Sequence, residues 1–245
     1  QNAVNNSDVA PVFFPKGIYI VSNLTIPSNI TVFGFGNATL KQKASCTGGF
    51  ITPATSATNI TIKGLIIDGN KANQVTACSG IALNANNTKI EIFNNNISNT
   101  KGSGIQGAGS GLADIVIRNN RISNVDVMAI TIQNGVNRAE ITGNIVNTTG
   151  NNGIQDFHPT TLSNLDVAIA NNIVTGVTLI PIEIQRGERC IVANNTVTGS
   201  GTNGISLGRC DYSAIVGNVV EDQSAIGIES GGNNKQSIIG NTINN

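Results

Sequence analysis

The segments EIFNNNIS (91–98) and VIRNNRIS (116–123) share the pattern apolar-x-Asn-Asn-x-apolar, and a related pattern returns along most of the chain. With Gly in place of the first Asn at some copies, it appears again as EITGNIVN (140–147), VAIANNIVT (167–175), IVANNTVT (191–198), AIVGNVVE (214–221) and SIIGNTIN (237–244). The shared Asn recurs at steps of 25, 24, 28, 23, 23 and 23 residues, at Asn95, Asn120, Asn144, Asn172, Asn195, Asn218 and Asn241. Two earlier segments, ITVFGFG (30–36) and ITIKGLII (60–67), place Gly34 and Gly64 in the same column. An internal repeat of this length is typical of a solenoid.

The repeat predicts short parallel strands stacked coil upon coil, with the apolar side chains in one shared core. Each Asn is expected at a tight corner, where the left-handed backbone conformation is tolerated. Identical amides stacked about 4.8 Å apart can hydrogen-bond along their column, which predicts an internal Asn ladder. A leucine-rich repeat has a similar period, but its Leu-x-x-Leu-x-Leu frame is not visible here.

Composition and charge exclude several function classes. The 14 basic and 14 acidic residues give a formal net charge of zero, and no basic cluster is present, so nucleic acid is not an expected partner. No apolar run approaches the roughly 18 residues of a membrane span, so a membrane is not expected either. The content of Ile and Val argues against a disordered chain.

The opening of the chain, PVFFPKGIYIVS followed by NLTIPSNITVFGFG, resembles the first segment of the pectate-lyase-like superfamily. That resemblance and the Asn column imply an all-β, right-handed parallel β-helix of about nine coils. We expect a single domain over 1–245, with a capping segment at 1–20 and coils at 21–245, as a trimmed form of a longer chain. The last coil would leave a raw strand edge, which deleted sequence or a partner subunit of a homo-oligomer would cover.

Sequons and cysteines indicate a secreted, extracellular protein. N-x-S/T sequons fit a glycosylated chain, although such triplets also arise by chance in a sequence rich in Asn and Thr. The four cysteines form a near pair at each end, Cys46 with Cys78 and Cys190 with Cys210. Two disulfides are expected from this even count, and Cys190 with Cys210 is the better candidate; the alternative is four small buried apolar residues.

A second column of strands precedes each Asn segment and predicts an outward polar stripe. If the column of Ile residues at 81, 105, 130, 154, 182, 205 and 228 points inward, the next residue of each strand must point outward. The stripe and its flanks supply the predicted substrate-binding residues Gln133, Gln155, Gln185, Arg209 and Glu229. Amides, carboxylates and guanidiniums on a flat sheet suit an extended polysaccharide. A solvated polar face is the alternative interpretation.

The stretch from Gln155 to His158 breaks the repeat. Asp156 stands where neighbouring coils have an aliphatic residue, so either a bulge reorients it or it is buried with a shifted pKa. His158 is the only histidine of the chain, and Glu183 and Arg186 lie one coil further on. The predicted catalytic residues are Asp156, His158, Glu183 and Arg186.

Asp156, His158, Asn164 with Leu165, and Glu183 resemble the Asp-x-His site of mannuronan carbon-5 epimerases and alginate lyases. Gly153 replaces the nearby Tyr of that family, Phe157 replaces its Pro, and the coil is one residue longer. The resemblance implies lyase or epimerase chemistry on a uronate polymer. His158 would be the base, Arg186 or Arg209 the carboxylate clamp, and Asp156 the group that orients the imidazole.

Two other functions stay open. A glycoside hydrolase would pair Asp156 with Glu183, or Glu183 with Glu229, although the Asn-Thr-Asp, Asp-Asp and Gly-His-Gly motifs of polygalacturonase-like enzymes are absent from the sequence. A glycan-binding or structural rod, such as an adhesin or a segment of a trimeric viral spike, would need no catalytic groups. No cofactor is expected, and neither Ca²⁺ nor any other metal has a ligand spacing in the sequence.

Overall fold

The computed structural model describes residues 11–157, 164–232 and 234–244, and these ranges are built almost entirely of short parallel strands. The strands form three sheets, and each coil contributes one strand to sheet 1, then one to sheet 2, then one to sheet 3. The nine strands of sheet 3 correspond to nine turns of a β-helix. The predicted all-β parallel solenoid is therefore confirmed.

Sheet 1 contains the strands Val12–Phe14, Thr31–Gly34, Thr58–Lys63, Thr88–Phe93, Ala113–Arg118, Asn137–Thr142, Asn164–Ala170, Ile191–Ala193, Ala214–Val216 and Ser237–Ile239, with the short strand Gly187–Glu188 beside Asn164–Ala170. Sheet 2 contains Gly17–Val21, Ala38–Gln42, Ile66–Asp68, Asn96–Ser98, Arg121–Val125, Ile145–Thr149, Ile173–Val177, Thr196–Ser200, Val219–Gln223 and Thr242–Asn244. Sheet 3 contains Leu24–Ile26, Ile51–Pro53, Ile81–Leu83, Ile105–Gly107, Ile130–Gln133, Ile154–Phe157, Ile182–Gln185, Ile205–Gly208 and Ile228–Gly231.

A single turn of 3₁₀-helix, Lys71–Asn73, lies between sheet 2 and sheet 3. Within the described ranges, no helix is long and apolar enough to cross a membrane.

The core is one continuous column of aliphatic side chains along the axis of the helix. Alternate residues of each strand point inward, as in Ile60, Ile62, Ile90 and Ile92, and all four are buried. Equivalent positions of successive coils are in register, so like residues stack on like residues from one end of the core to the other. Stacked β-branched side chains fill most of the narrow interior, and Phe50 is a fully buried aromatic residue within it.

The Asn column links consecutive coils by side-chain hydrogen bonds. Nδ2 of Asn95 donates to Oδ1 of Asn120 at 3.1 Å, and the same bond joins each later pair at 2.9 to 3.0 Å, as far as Asn218 and Asn241. Each Oδ1 also accepts the backbone N–H of the preceding Asn of the column, at 3.0 Å for Asn95. Each Nδ2 in addition reaches a backbone carbonyl of the coil before, as Asn120 does at Ile92. The column therefore satisfies backbone groups that the corner would leave buried and unpaired.

The left-handed residue of each corner is the one before the ladder Asn, which corrects the sequence-based expectation. Asn94, Asn119 and Gly143 have φ of 54°, 55° and 65°, whereas φ is not positive at any Asn of the ladder. Gly64 aligns with Asn94, because Lys63 pairs with Phe93, and Leu65 occupies the ladder position in its coil. Gly34 and Gly64 thus lie one residue before the predicted column. From Gly64 onward, two residues separate the sheet 1 strand from the sheet 2 strand in every coil.

All four cysteines are free thiols, so the predicted disulfides are not present. Cys190 lies beside Ser213 of the next coil, whose Oγ accepts its backbone N–H at 3.0 Å, while Cys210 belongs to the column of Gly187. Cys190 is therefore in register with Ser213, three residues after Cys210, although the two cysteines are about one coil apart in sequence. Burial raises the pKa of Cys210 to about 11 and that of Cys190 further, so both thiols stay protonated.

Replacing Asn144 with Ala tests the ladder at its centre. The Asn120 backbone N–H and the amides above and below would lose their partner, so we expect the free energy of unfolding to fall by about 3 kcal/mol or more. Asn96→Ala, at an exposed strand position one residue after the column, should change it by less than about 0.5 kcal/mol. Denaturant unfolding curves of the two variants measure the difference, and equal effects would contradict the role given to the ladder.

Candidate functional site

The outer face of sheet 3 carries the predicted polar stripe. Ile130, Ile154, Ile182 and Ile205 are in register and fully buried, so the next residue of each strand lies on the outer face. Four of those outer residues are nevertheless buried, because neighbouring side chains cover them: Thr131, Gln155, Glu183 and Ser206. We call the series Gln155, Glu183, Ser206 and Glu229, which stack in register, the outer column.

Glu183 is the centre of the outer column. Its Oε2 accepts hydrogen bonds from Nδ2 of Asn152 and Nε2 of Gln155, both at 2.6 Å, and its Oε1 accepts one from Nε2 of Gln185 at 2.5 Å. Only 5% of the residue is exposed. Three amides from two coils therefore hold one nearly dry carboxylate in a fixed orientation, and a carboxylate has acceptor capacity left for a ligand.

A cleft of about 460 Å³ lies next to the outer column, where the strands of sheet 3 end. Gln185 joins the two, since it both bonds to Glu183 and lines the cleft. The other lining residues are Phe157, Arg186, Gly208, Arg209, Gly231 and Gly232.

Arg186 and Arg209 supply the positive charge of the cleft. They occupy the same corner in consecutive coils, because the N–H of Arg186 donates to the carbonyl of Gly208 just before Arg209. Both have a left-handed backbone, with φ of 62° and 56°, which is unfavourable for a long side chain and often accompanies function. Paired guanidiniums in a cleft are suited to an anion.

Two predicted binding residues lie elsewhere on the same face. Glu229 follows Ser206 in the outer column, and its Oε2 accepts bonds from Nδ2 of Asn203 at 2.6 Å and Oγ of Ser206 at 3.1 Å. Gln133 lies at the end of its strand and donates to Oγ1 of Thr131 at 3.1 Å. The outer face thus brings together Gln155, Glu183, Gln185 and Glu229, with Arg186 and Arg209 at its edge.

Asp156 points into the core, not toward this face. It is in register with Ile132 and Ile184, without a bulge, and is fully buried. Nδ2 of Asn164 donates to its Oδ1, while its Oδ2 has no partner among the described residues. Burial raises the pKa of Asp156 well above its ordinary value, and the bond from Asn164 acts in the opposite direction.

This placement corrects two expectations for Asp156. A side chain in the core cannot touch a substrate or an imidazole on the outer face, so the catalytic role does not fit. Asp156 and Glu183 also lie on opposite faces of sheet 3, which removes them as a hydrolase pair. Asn164 has an internal role, since its Oδ1 accepts the backbone N–H groups of Gly135 and Val136.

His158 lies outside the described residues. In the part of the chain that is described, no group of three or more His, Cys, Asp or Glu side chains could hold a metal ion.

Asn152 is the site residue that sequence reasoning missed. It lies in the turn before its strand and is buried, and it reaches Glu183 across 31 residues of chain. The available signal was the triplet Asn-Gly-Ile at 152–154, which returns at 203–205.

The raised pKa of Asp156 predicts an unusual dependence of stability on pH. The native state keeps the proton at pH values where the unfolded chain, near the ordinary value of 3.8, has lost it. The free energy of unfolding should therefore fall as pH rises above that value, by about 1.4 kcal/mol per pH unit until the native carboxyl ionises. Asp156→Asn should remove this fall, whereas Asp222→Asn, at an exposed position, should keep it. Unfolding midpoints measured across pH would contradict the assignment if all three proteins had the same slope.

Comparison with protein families and curated proteins gives a partial match. A family model described as periplasmic copper-binding protein (NosD) matches residues 160–245, about a third of the chain. No curated protein matches the chain.

Solved structures resemble the chain over most of its length. The Azotobacter vinelandii mannuronan C-5 epimerase AlgE6 A-module has a TM-score of 0.78 at 17% identity, over 99% of this chain and 87% of that one. The enzymatically active domain of bacteriophage CBA120 tailspike protein 2 has a TM-score of 0.72 at 15% identity, over 96% and 38%. The catalytic domain of a GH87 α-1,3-glucanase in complex with nigerose has a TM-score of 0.70 at 18% identity, over 86% and 41%. At such identities the likeness shows the fold alone, a parallel β-helix.

Proposed function

We propose that this chain is a carbohydrate-active β-helix that binds an acidic polysaccharide along the outer face of sheet 3 and modifies it by lyase- or epimerase-type proton transfer. The observation that carries the proposal is the Glu183 carboxylate, held by three amides beside a cleft with two arginines. Similar solved structures named as a mannuronan epimerase, a tailspike and a glucanase support the choice of a polysaccharide. A polymeric substrate of this kind suits a secreted protein.

Binding rests on the charges of the cleft. Each guanidinium can pair with a sugar carboxylate through two parallel N–H bonds, while Gln185 and the glycines leave room for the ring. The amides of the outer face donate to sugar hydroxyls and ring oxygens.

The proposed chemistry is removal of the proton on the carbon next to the sugar carboxylate. Glu183 takes this proton, and the C–H electron pair moves into the carboxylate to form an enolate that Arg186 or Arg209 stabilises. The enolate then either regains a proton on the opposite face, which is epimerisation, or expels the glycosidic oxygen at the adjacent carbon, which is lyase cleavage. His158 is the proposed second proton carrier. Since 5% exposure keeps water away from Glu183, solvation competes little with proton transfer.

Hydrolysis is the second candidate. Glu183 and Glu229 lie on one face, two coils and about 10 Å apart, near the upper limit for inverting glycosidases. A polysaccharide-binding rod without activity is the third.

Replacing Glu183 with Gln tests the chemistry. In deuterated buffer with alginate, polygalacturonate or a uronate-containing capsular glycan, we expect the native protein either to introduce deuterium next to the carboxylate, detected by mass spectrometry, or to produce the ultraviolet absorbance of an unsaturated uronate. Glu183→Gln should lower this rate about 100-fold or more, because the amide cannot accept the proton. Glu140→Gln, on sheet 1, is the matched control and should keep the native rate.

Other results of that experiment identify the alternatives. New reducing ends with neither deuterium nor an unsaturated uronate would indicate hydrolysis, and binding without any of these products would indicate the non-catalytic rod. Both results would contradict the proton-transfer mechanism.

Replacing Arg209 with Ala tests the cleft. The dissociation constant for the same polymers should rise about tenfold, because one charge-assisted contact to a sugar carboxylate is lost. Arg121→Ala, at an exposed position of sheet 2, should leave it unchanged. Titration calorimetry at two salt concentrations provides the measurement, and equal affinities of both variants would contradict the assignment.

A further inference from the structure

A hydrogen-bonded pair of Asn and Glu is built twice on the outer face of sheet 3. Nδ2 of Asn152 donates to Oε2 of Glu183 at 2.6 Å, and Nδ2 of Asn203 donates to Oε2 of Glu229 at 2.6 Å. In both cases the Asn lies one coil before the Glu. We call Asn152 with Glu183 the first station and Asn203 with Glu229 the second station.

The two stations share further contacts, but they differ in burial: Glu183 is buried and Glu229 is exposed, and Gly231 stands where the first station has Gln185. Oδ1 of Asn152 accepts the N–H of Ile180 at 3.1 Å, three residues before Glu183. Oδ1 of Asn203 accepts the N–H of Ile226 at 3.4 Å, again three residues before the Glu. The outer residue of the preceding coil completes each station. Gln155 donates to Oε2 of Glu183, and Ser206 donates to Oε2 of Glu229, in each case the oxygen that the Asn also contacts.

The step from the coil of Glu183 to the coil of Ser206 lacks this arrangement. Ile180 stands at the position that Asn152 and Asn203 occupy in their coils, and the outer residue next to Glu183 is Ser206. The Asn–Glu arrangement therefore repeats every two coils, about 10 Å along the helix axis.

The cleft runs past both stations. Its lining extends from Phe157, in the coil of Gln155, to Gly231 and Gly232, in the coil of Glu229. Arg186 lies in the coil of Glu183, and Arg209 lies in the coil of Asn203. A chain lying parallel to the helix axis would meet carboxylates on one side and guanidiniums on the other.

We infer that the two stations are successive subsites for repeating units of one extended anionic polysaccharide chain, with Asn152 and Asn203 as positioning residues. This inference rests on the proposed function and extends it to the second station. At each station the carboxylate accepts a sugar hydroxyl through acceptor positions that the amides leave open. In each station the Asn ties the Glu carboxylate to the preceding coil, so both subsites present the carboxylate in the same orientation.

Binding of oligosaccharides of defined length tests the inference without requiring catalysis. Size-fractionated oligouronates from alginate and from polygalacturonate would be titrated into the full chain by calorimetry. For the native protein we expect the dissociation constant to drop about tenfold once the oligomer is long enough to span both stations. Glu229→Gln and Asn203→Ala should each bring the ratio of short-oligomer to long-oligomer dissociation constants close to one.

Glu221→Gln is the matched control. Glu221 accepts a bond from Nδ2 of Asn244, one coil further on, at 3.2 Å, but it lies on sheet 2. The Glu221→Gln variant should retain the native drop in dissociation constant with oligomer length. Thermal unfolding of all variants verifies that the coils are intact.

The outcomes separate the two claims. A length step that survives in Glu229→Gln and Asn203→Ala would overturn the second station while leaving the proposed function in place. A length step that these variants abolish, in a protein that neither exchanges deuterium nor forms an unsaturated uronate, would support the second station and contradict only the proton-transfer chemistry. If neither series of oligouronates binds, both the second station and the proposed function are contradicted.

Discussion

The rest of the structure depends on the hydrogen bonds of the Asn column. The corner between sheet 1 and sheet 2 turns the chain sharply and would bury backbone groups without partners. A side-chain amide from the neighbouring coil fills that need at every level from Asn95 to Asn241. Because the same bond forms in each coil, it fixes where every coil begins relative to the one before. The alignment of the aliphatic core and of the outer column follows from that register.

The candidate site is a product of stacking. Asn152, Glu183 and Gln185 come from two coils, and Arg209 and Glu229 come from two more, yet they share one face. Glu183, Gln185 and Glu229 lie on strands, and Asn152 and Arg209 lie in turns directly beside strands, which hold side chains more tightly than long loops do. The left-handed backbone of Arg186 and Arg209 turns both side chains to the cleft, and the surrounding hydrogen bonds stabilise this conformation.

The sequence predicted the features that repeat and failed where contacts run between coils. The Ile column and its outward neighbours followed from a period of two within strands, and a buried Asp156 with a shifted pKa was one of two alternatives. The bond from Asn152 to Glu183 could not be foreseen, because coil lengths vary and the vertical neighbour of a turn residue is not a fixed number of residues away. Cys190 and Cys210 show the same difficulty, since Cys190 is in register with Ser213 of the next coil and not with Cys210. The left-handed corner residue was misplaced by one position because the ladder Asn must keep an ordinary backbone to point inward.

The corner of two residues between sheet 1 and sheet 2 has a consequence for how such a protein can diversify. From Gly64 onward, the variation in coil length, including the 3₁₀ turn at Lys71–Asn73, falls on the segments that flank sheet 3. Insertions there leave the Asn column undisturbed, so loops beside the outer face can lengthen or be exchanged while the scaffold keeps its stability. New specificities can therefore be grafted onto one face of the rod, and an inserted residue in the Asn corner would be the change the fold tolerates least.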